Sequence, residues 1–267
     1  MKLIFAFLLL LSAYTFASAQ TTDCAALTHQ ALELSGFNQS LDPLTKELSS
    51  PQFMQGIRGR ASAEEFISIF QPIMVKEFNS DLLRKEIQQH VAMHCNVEQM
   101  KLTVQQLQTP LVAKMVALEA ATNTTEGQEK LKKYIKIAST VPPTDERIEA
   151  LDAIDNSMGA SDFVTDTILA MMSGMMKGVG APPEIVAQLH EHRKELKAQM
   201  QNSVELSMSI TYHGVVRPEL QQYAKELEAQ PLKGFYAQVN KAFVEIVEER
   251  SQAMGQELKK AIAARQN

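Results

Sequence analysis

The spacing of apolar residues is the feature that most restricts the fold of this chain. Apolar side chains recur three and four positions apart, as in Val239, Phe243 and Ile246. This spacing places them on one face of an α-helix, whereas a half-buried strand would alternate apolar and polar residues. Ala, Leu, Met, Gln, Glu and Lys, which all favour helix, are abundant. The sequence therefore predicts an all-α protein.

Capping residues and prolines indicate where individual helices begin. We predict that Ser80 and Asn96 cap two helices through their side-chain oxygens. Pro183 is predicted to open one long helix that continues through Leu196, and Pro231 to open the last helix, because proline is well tolerated in a first turn.

A segment unfavourable to helix divides the chain into two blocks. Residues 139–145 contain two consecutive prolines flanked by Val and Thr. We expect this segment to be a linker between a first helical domain, residues 20–138, and a second, residues 146–267. The length of each block suits a small helical domain.

The two blocks resemble each other in the order of their features. Each contains a short helix followed by a Pro-Leu pair, at Pro110-Leu111 and at Pro231-Leu232. Upstream, Gly36 and Gly159 each close the first helix of their block. We interpret the pattern as a tandem duplication that gives two similar multi-helix bundles, because a repeat of this length is a whole domain.

The second block carries a distinctive series of residues, namely Tyr212, Pro218-Glu219-Leu220, Tyr223 and Pro231-Leu232-Lys233-Gly234-Phe235. This series resembles a bacterial exported family that is known only as a domain of unknown function. The first block departs from this pattern, because Leu111-Val112-Ala113 lacks the glycine that follows the proline in the second. The resemblance implies an all-helical, signal-bearing periplasmic protein and assigns no activity.

The N-terminus has the features of a secretory signal peptide. Lys2 precedes the apolar run Leu3–Leu11, and Ala17-Ser18-Ala19 provides small residues for cleavage after Ala19. The run is shorter than the roughly 20 apolar residues that a membrane span requires. We expect residues 1–19 to be removed and the mature chain, without a membrane span, to be periplasmic or secreted.

The mature chain contains two cysteines, Cys24 and Cys95. In an oxidising compartment the simplest expectation is one disulfide between them, with unpaired or metal-binding cysteines as the alternative. A catalytic thiol is disfavoured, because no Cys-x-x-Cys spacing or adjacent basic cluster would lower the pKa of either one.

Charge and motif content exclude several classes of function. The formal net charge is −5, and acidic residues alternate with lysines along the chain, which disfavours nucleic acid as a partner. The chain has no Gly-rich phosphate loop, no Gly-x-Ser-x-Gly motif and no dinucleotide-binding fingerprint. We therefore expect a protein that is not an enzyme and needs no cofactor.

One helix face could bind a metal ion. Glu86, His90 and His94 are spaced by four residues, and imidazoles at that spacing can share zinc or copper. Val91 stands where a zinc protease needs a glutamate, which excludes that hydrolase motif. The alternative is a polar helix face exposed to solvent.

A second candidate is a cluster of thioether and aliphatic side chains on a later helix, namely Ile168, Met171, Met172, Met175 and Met176. It could be a groove for apolar partner segments or a Cu(I) site. The alternative is plain core packing, because Val164 and Met172 belong to one stripe with helical spacing.

These observations favour a non-enzymatic binding, structural or chaperone-like module of the cell envelope. Its expected partner is another envelope protein or an apolar peptide segment. A periplasmic copper- or zinc-handling protein is the alternative, and an unrecognised enzyme is the second alternative.

Overall fold

The computed structural model describes residues 23–48, 63–124, 126–127, 129–130, 133 and 144–266. The described residues contain α-helices and no strand, which confirms the predicted all-α class. The predicted signal peptide lies outside this part of the chain, as do residues 139–143 of the predicted linker.

The main helices in chain order are α1 (23–34), α2 (Phe37–Leu48), α3 (Ala63–Glu77), α4 (Ser80–Met93), α5 (Val97–Leu107), α6 (Pro110–Thr122), α7 (Asp145–Met158), α8 (Ala160–Val179), α9 (Pro183–Glu191), α10 (Arg193–Thr211), α11 (Arg217–Glu228) and α12 (Gln230–Gln266). None of the described helices is both long and apolar enough to cross a membrane.

Two of the predicted caps can be compared with the observed helix starts. Asn96 caps α5 as predicted, because its side chain accepts a hydrogen bond from the Gln99 amide at 3.0 Å. The predicted cap Ser80 is wrong, since Ser80 is the first helical residue of α4. Asn79 has the extended backbone of a cap, and its side chain accepts from the amides of the second and third residues of α4.

The long helix predicted from Pro183 is two helices. α9 ends at Glu191, and α10 begins at Arg193 after a break at His192. Both pack against α8, and the Arg193 guanidinium binds Asp162 and Asp166 of that helix. The turn at His192 separates the two helices that lie on α8.

One continuous core holds the molecule together. Most of the buried apolar side chains form a single cluster that extends along the chain from Ala31 to Leu258. The long helix α12 contacts α3, α4 and α5 as well as α7, α8 and α11. Helices of both sequence blocks therefore pack around α12 and share this core.

The closest helix packing joins α8 to α12 through glycines. A Cβ atom on Gly174 would lie 2.3 Å from the Glu248 carbonyl oxygen, and one on Gly178 would lie 2.2 Å from the Gln252 carbonyl oxygen. Gly255 of α12 is equally close to α8, with a Cβ contact of 2.6 Å. The backbones can approach this closely only because these positions lack side chains.

This packing corrects the interpretation of the Val164–Met172 stripe as core. The face of α8 that is buried carries mainly small side chains: Ser161, Thr165, Leu169, Ala170, Ser173, Gly174 and Gly178. Met172 is 41% exposed, and Val164 is half-buried. Close backbone contact needs small residues, so the larger side chains of α8 lie toward its edges.

The predicted disulfide between Cys24 and Cys95 is present. It joins α1 to the turn between α4 and α5, with a Cα–Cα distance of 5.9 Å. The bridge links positions 71 residues apart, so it restricts the unfolded chain strongly.

Candidate functional site

Glu119, which is half-buried, is the centre of a polar cluster that includes two buried tyrosines. It lies on α6, whose buried residues Val112, Met115 and Val116 are three and four positions apart. Because Glu119 continues this spacing, α6 directs its carboxyl group toward the core. A single acidic side chain is thereby placed among apolar neighbours.

Two tyrosines donate hydrogen bonds to the same oxygen of this carboxyl group. The Tyr212 hydroxyl lies 2.6 Å from Glu119 Oε1, and the Tyr223 hydroxyl lies 3.0 Å from it. Arg147 of α7 holds the end of α10 in place by donating to the Tyr212 and Val215 carbonyl oxygens. Helices α6, α7, α10 and α11 thus meet at this cluster.

Burial and hydrogen bonding have opposite effects on the pKa of the Glu119 carboxyl group. Burial raises the pKa of the Glu119 carboxyl above its ordinary value, and the hydroxyl donors Tyr212 and Tyr223 counteract part of that rise. Burial, followed by the nearby Glu119 charge, raises the pKa of each tyrosine well above its usual value. Both tyrosines therefore stay protonated and act as hydrogen-bond donors.

A third tyrosine adjoins this cluster without a hydrogen bond. Tyr236 of α12 is 8% exposed, and its hydroxyl has no partner among the described residues. Burial and the Glu119 charge raise its pKa, so the hydroxyl is a protonated donor. Leaving such a group buried and unpaired costs about 1–3 kcal/mol.

Glu119 and Tyr236 both line a cavity of about 210 Å³, which we call the junction cavity. Three phenylalanines form much of its apolar wall. The Phe243 ring packs edge-on against Phe37 at 6.0 Å and against Phe163 at 5.2 Å between ring centroids. Glu119 is the only acidic or basic side chain among the described residues that line it.

The junction cavity lies where the two sequence blocks meet. The first block contributes residues near the α1–α2 turn and on α6, and the second contributes residues near the α7–α8 turn and on α12. The turn glycines Gly36 and Gly159 both have a left-handed backbone, with φ values of 73° and 67°. Ligand pockets often lie between the packed helices of a bundle.

The predicted metal-binding face has other partners in the structure. Glu86 receives hydrogen bonds from Arg250, including one of 3.0 Å to Oε2. His90 Nε2 lies 3.3 Å from Glu245, and His94 Nδ1 lies 2.9 Å from the His90 carbonyl oxygen. Within the described part of the chain, no three metal-ligating side chains are grouped to hold an ion.

The predicted partner groove is spread around α8. Met171 and Met175 pack against the core, Met172 is exposed, and Ile168 and Met176 are half-buried. None of the five lines the junction cavity.

Sequence reasoning did not identify Glu119 or Tyr236 as site residues. A glutamate between Leu118 and Ala120 has the local appearance of a solvent-exposed helix residue. The available signal was its spacing from Met115 and Val116, which places it on the buried face of α6. The elements that enclose it come from distant parts of the chain.

Comparison with known proteins finds no match to this chain. No protein-family model matches the chain, and no curated protein or solved structure matches it either. The resemblance of the second block to an exported family stays a prediction, and the argument for function rests on the geometry of the site.

Proposed function

We propose that this protein is a non-enzymatic binding protein of the periplasm and that it binds a small molecule in the junction cavity. The observation that carries the proposal is the composition of that cavity wall, where Glu119 is the only acidic or basic side chain among the described lining residues and three phenylalanines form much of the apolar part. A concave, mostly apolar site with few polar groups is the usual form of a small-molecule binding site.

The surroundings of Glu119 support binding over catalysis. Two tyrosine donors fix one carboxylate oxygen, so the group is held in place. The described residues of the cavity wall include no histidine, lysine or cysteine that could pair with Glu119 as acid, base or nucleophile. A fixed charge in an apolar wall suits recognition and orientation of a ligand.

Export and duplication are part of the same proposal. The Cys24–Cys95 disulfide supports an oxidising compartment, in agreement with the signal-like N-terminus. The matching left-handed glycines at Gly36 and Gly159 support an origin by duplication. A binding site between two similar halves of one shared core would be a natural consequence of that origin.

The methionine cluster on α8 gives weaker support for the envelope-partner function. Only Met172 among its members is strongly exposed, at 41%. An apolar partner segment would need a continuous groove, whereas these side chains face several directions around the helix.

Thermal unfolding with a panel of small metabolites tests the proposal. We expect at least one compound to raise the Tm of the wild-type mature protein. Ala120→Leu adds bulk at the cavity wall and should abolish that shift, whereas Ala113→Leu, on the exposed face of α6, should keep it. Equal shifts in both variants, or no stabilising compound, would contradict a binding function for this cavity.

A further inference from the structure

We infer that the ligand of the junction cavity is a small organic ammonium ion. This inference rests on the proposed function and names the ligand class. It follows from the charge, the aromatic wall, the size and one free carboxylate oxygen of the cavity.

The charge of the wall selects a cation. Glu119 is the only acidic or basic side chain among the described lining residues, so the wall carries a single negative charge. An anionic ligand would face that charge in an environment where burial reduces solvent screening. A cationic ligand would neutralise it and relieve the cost of a buried carboxylate.

The aromatic wall suits an alkylated ammonium group. Phe37, Phe163 and Phe243 line the cavity together with the Tyr236 ring. The faces of aromatic rings attract cations, and alkylammonium groups also gain from apolar contact, because they are weakly hydrated. A carboxylate beside several aromatic rings is a suitable environment for such an ion.

Size limits the ligand to a few heavy atoms. The cavity holds about 210 Å³, which is below the roughly 300–1,000 Å³ of sites for drug-sized molecules. A trimethylammonium group with a two-carbon arm is within this size, whereas a peptide helix is far too large.

One carboxylate oxygen is free to anchor the ligand. Both tyrosine bonds reach Oε1 of Glu119, and the described residues donate no hydrogen bond to its Oε2. The ammonium group would lie near this oxygen. The Tyr236 hydroxyl has almost no accessible surface, so the ligand does not depend on it.

Choline and its neutral isostere 3,3-dimethyl-1-butanol test the charge requirement directly. Both have the same shape and the same hydroxyl, and only choline is charged. In calorimetric titrations of the full mature protein, we expect choline to bind at least about tenfold more tightly than the neutral alcohol, because it adds cation–π and ionic attraction.

Three variants test which residues contribute to ligand binding. Glu119→Gln keeps an acceptor for Tyr212 and Tyr223 but removes the charge, so it should weaken choline binding about tenfold and leave the alcohol nearly unchanged. Tyr236→Phe keeps the aromatic ring and should leave both affinities nearly unchanged, because the Tyr236 hydroxyl is buried away from the cavity. Glu228→Gln, on the exposed surface of α11, should change neither.

The outcomes separate this inference from the proposed function. Equal affinity for choline and the alcohol would overturn cation recognition and leave a binding cavity intact. Absence of choline binding, with another class of compound binding in the metabolite panel, would overturn the ammonium inference alone. A choline affinity equally reduced in Glu228→Gln would also refute it, because the effect would then come from overall charge.

Discussion

Substitution of Gly178 by alanine tests the close packing of α8 on α12. The added Cβ would lie 2.2 Å from the Gln252 carbonyl oxygen and 2.8 Å from the Gly255 Cα. These neighbours are backbone atoms of α12, so no side-chain rotation can relieve the contact. To bring 2.2 Å to an ordinary contact, α8 and α12 must separate by about 1 Å.

The expected loss of stability in Gly178→Ala is the difference between two opposing effects. Overpacking of a well-packed interface costs about 1–3 kcal/mol, and a backbone obstacle places this case near the upper end. Alanine in place of glycine inside a helix stabilises the helix by about 1 kcal/mol. We expect Gly178→Ala to lower the free energy of unfolding by about 2 kcal/mol, which corresponds to about 4–8 °C in Tm for a chain of this size.

Gly234→Ala is the matched control. Gly234 lies within α12, and a Cβ there would meet no atom within 4 Å. Only the helix propensity changes, so this variant should be more stable by about 0.5–1 kcal/mol. Urea unfolding followed by circular dichroism at 222 nm measures both. If Gly178→Ala were as stable as the wild type while Gly234→Ala behaved as expected, the close packing of α8 on α12 would be refuted.

Three further perturbations test the polar cluster and the disulfide. Because burial raises the folded-state pKa of Glu119, wild-type stability should fall as pH rises from about 4.5 through that raised pKa. The stability of Glu119→Gln relative to the wild type, measured by urea unfolding, should therefore be greater at pH 8 than at pH 4. An equal difference at both pH values would contradict a raised pKa of Glu119 in the folded protein. Without ligand, Tyr236→Phe should raise the unfolding free energy by about 1 kcal/mol, because it removes an unpaired buried hydroxyl; a loss of stability would mean that the hydroxyl is paired. Replacing Cys24 and Cys95 by serine should cost about 4 kcal/mol for a 71-residue separation, and reduction of the wild type should give a similar loss; an unchanged unfolding midpoint in both experiments would show that no disulfide forms in solution.

Features that depend on neighbours along the chain could be predicted from the sequence. Helix content, the cap at Asn96 and the helix opening at Pro231 are local, because each involves residues within one turn. The cap of α4 was misplaced by one residue, since Asn79 and Ser80 are adjacent and both can cap. The disulfide was predictable because the chain contains only two cysteines.

Contacts between distant residues could not be predicted in this way. The break at His192 depends on how α9 and α10 lie on α8, and the buried face of α8 depends on how closely α12 approaches. Helical periodicity identifies an apolar face but not the helix that covers it. The stripe through Met172 therefore looked like core, although the glycines at 174 and 178 are the residues that contact α12.

The sequence by itself determined that this protein is helical, where many of its helices begin and which cysteines pair. Only the tertiary structure decided that Glu119 is enclosed by Tyr212 and Tyr223 and that Tyr236 has an unpaired hydroxyl beside them. The physical reason is that local conformation depends on a few successive residues. A cavity, in contrast, depends on where helices more than a hundred residues apart come into contact.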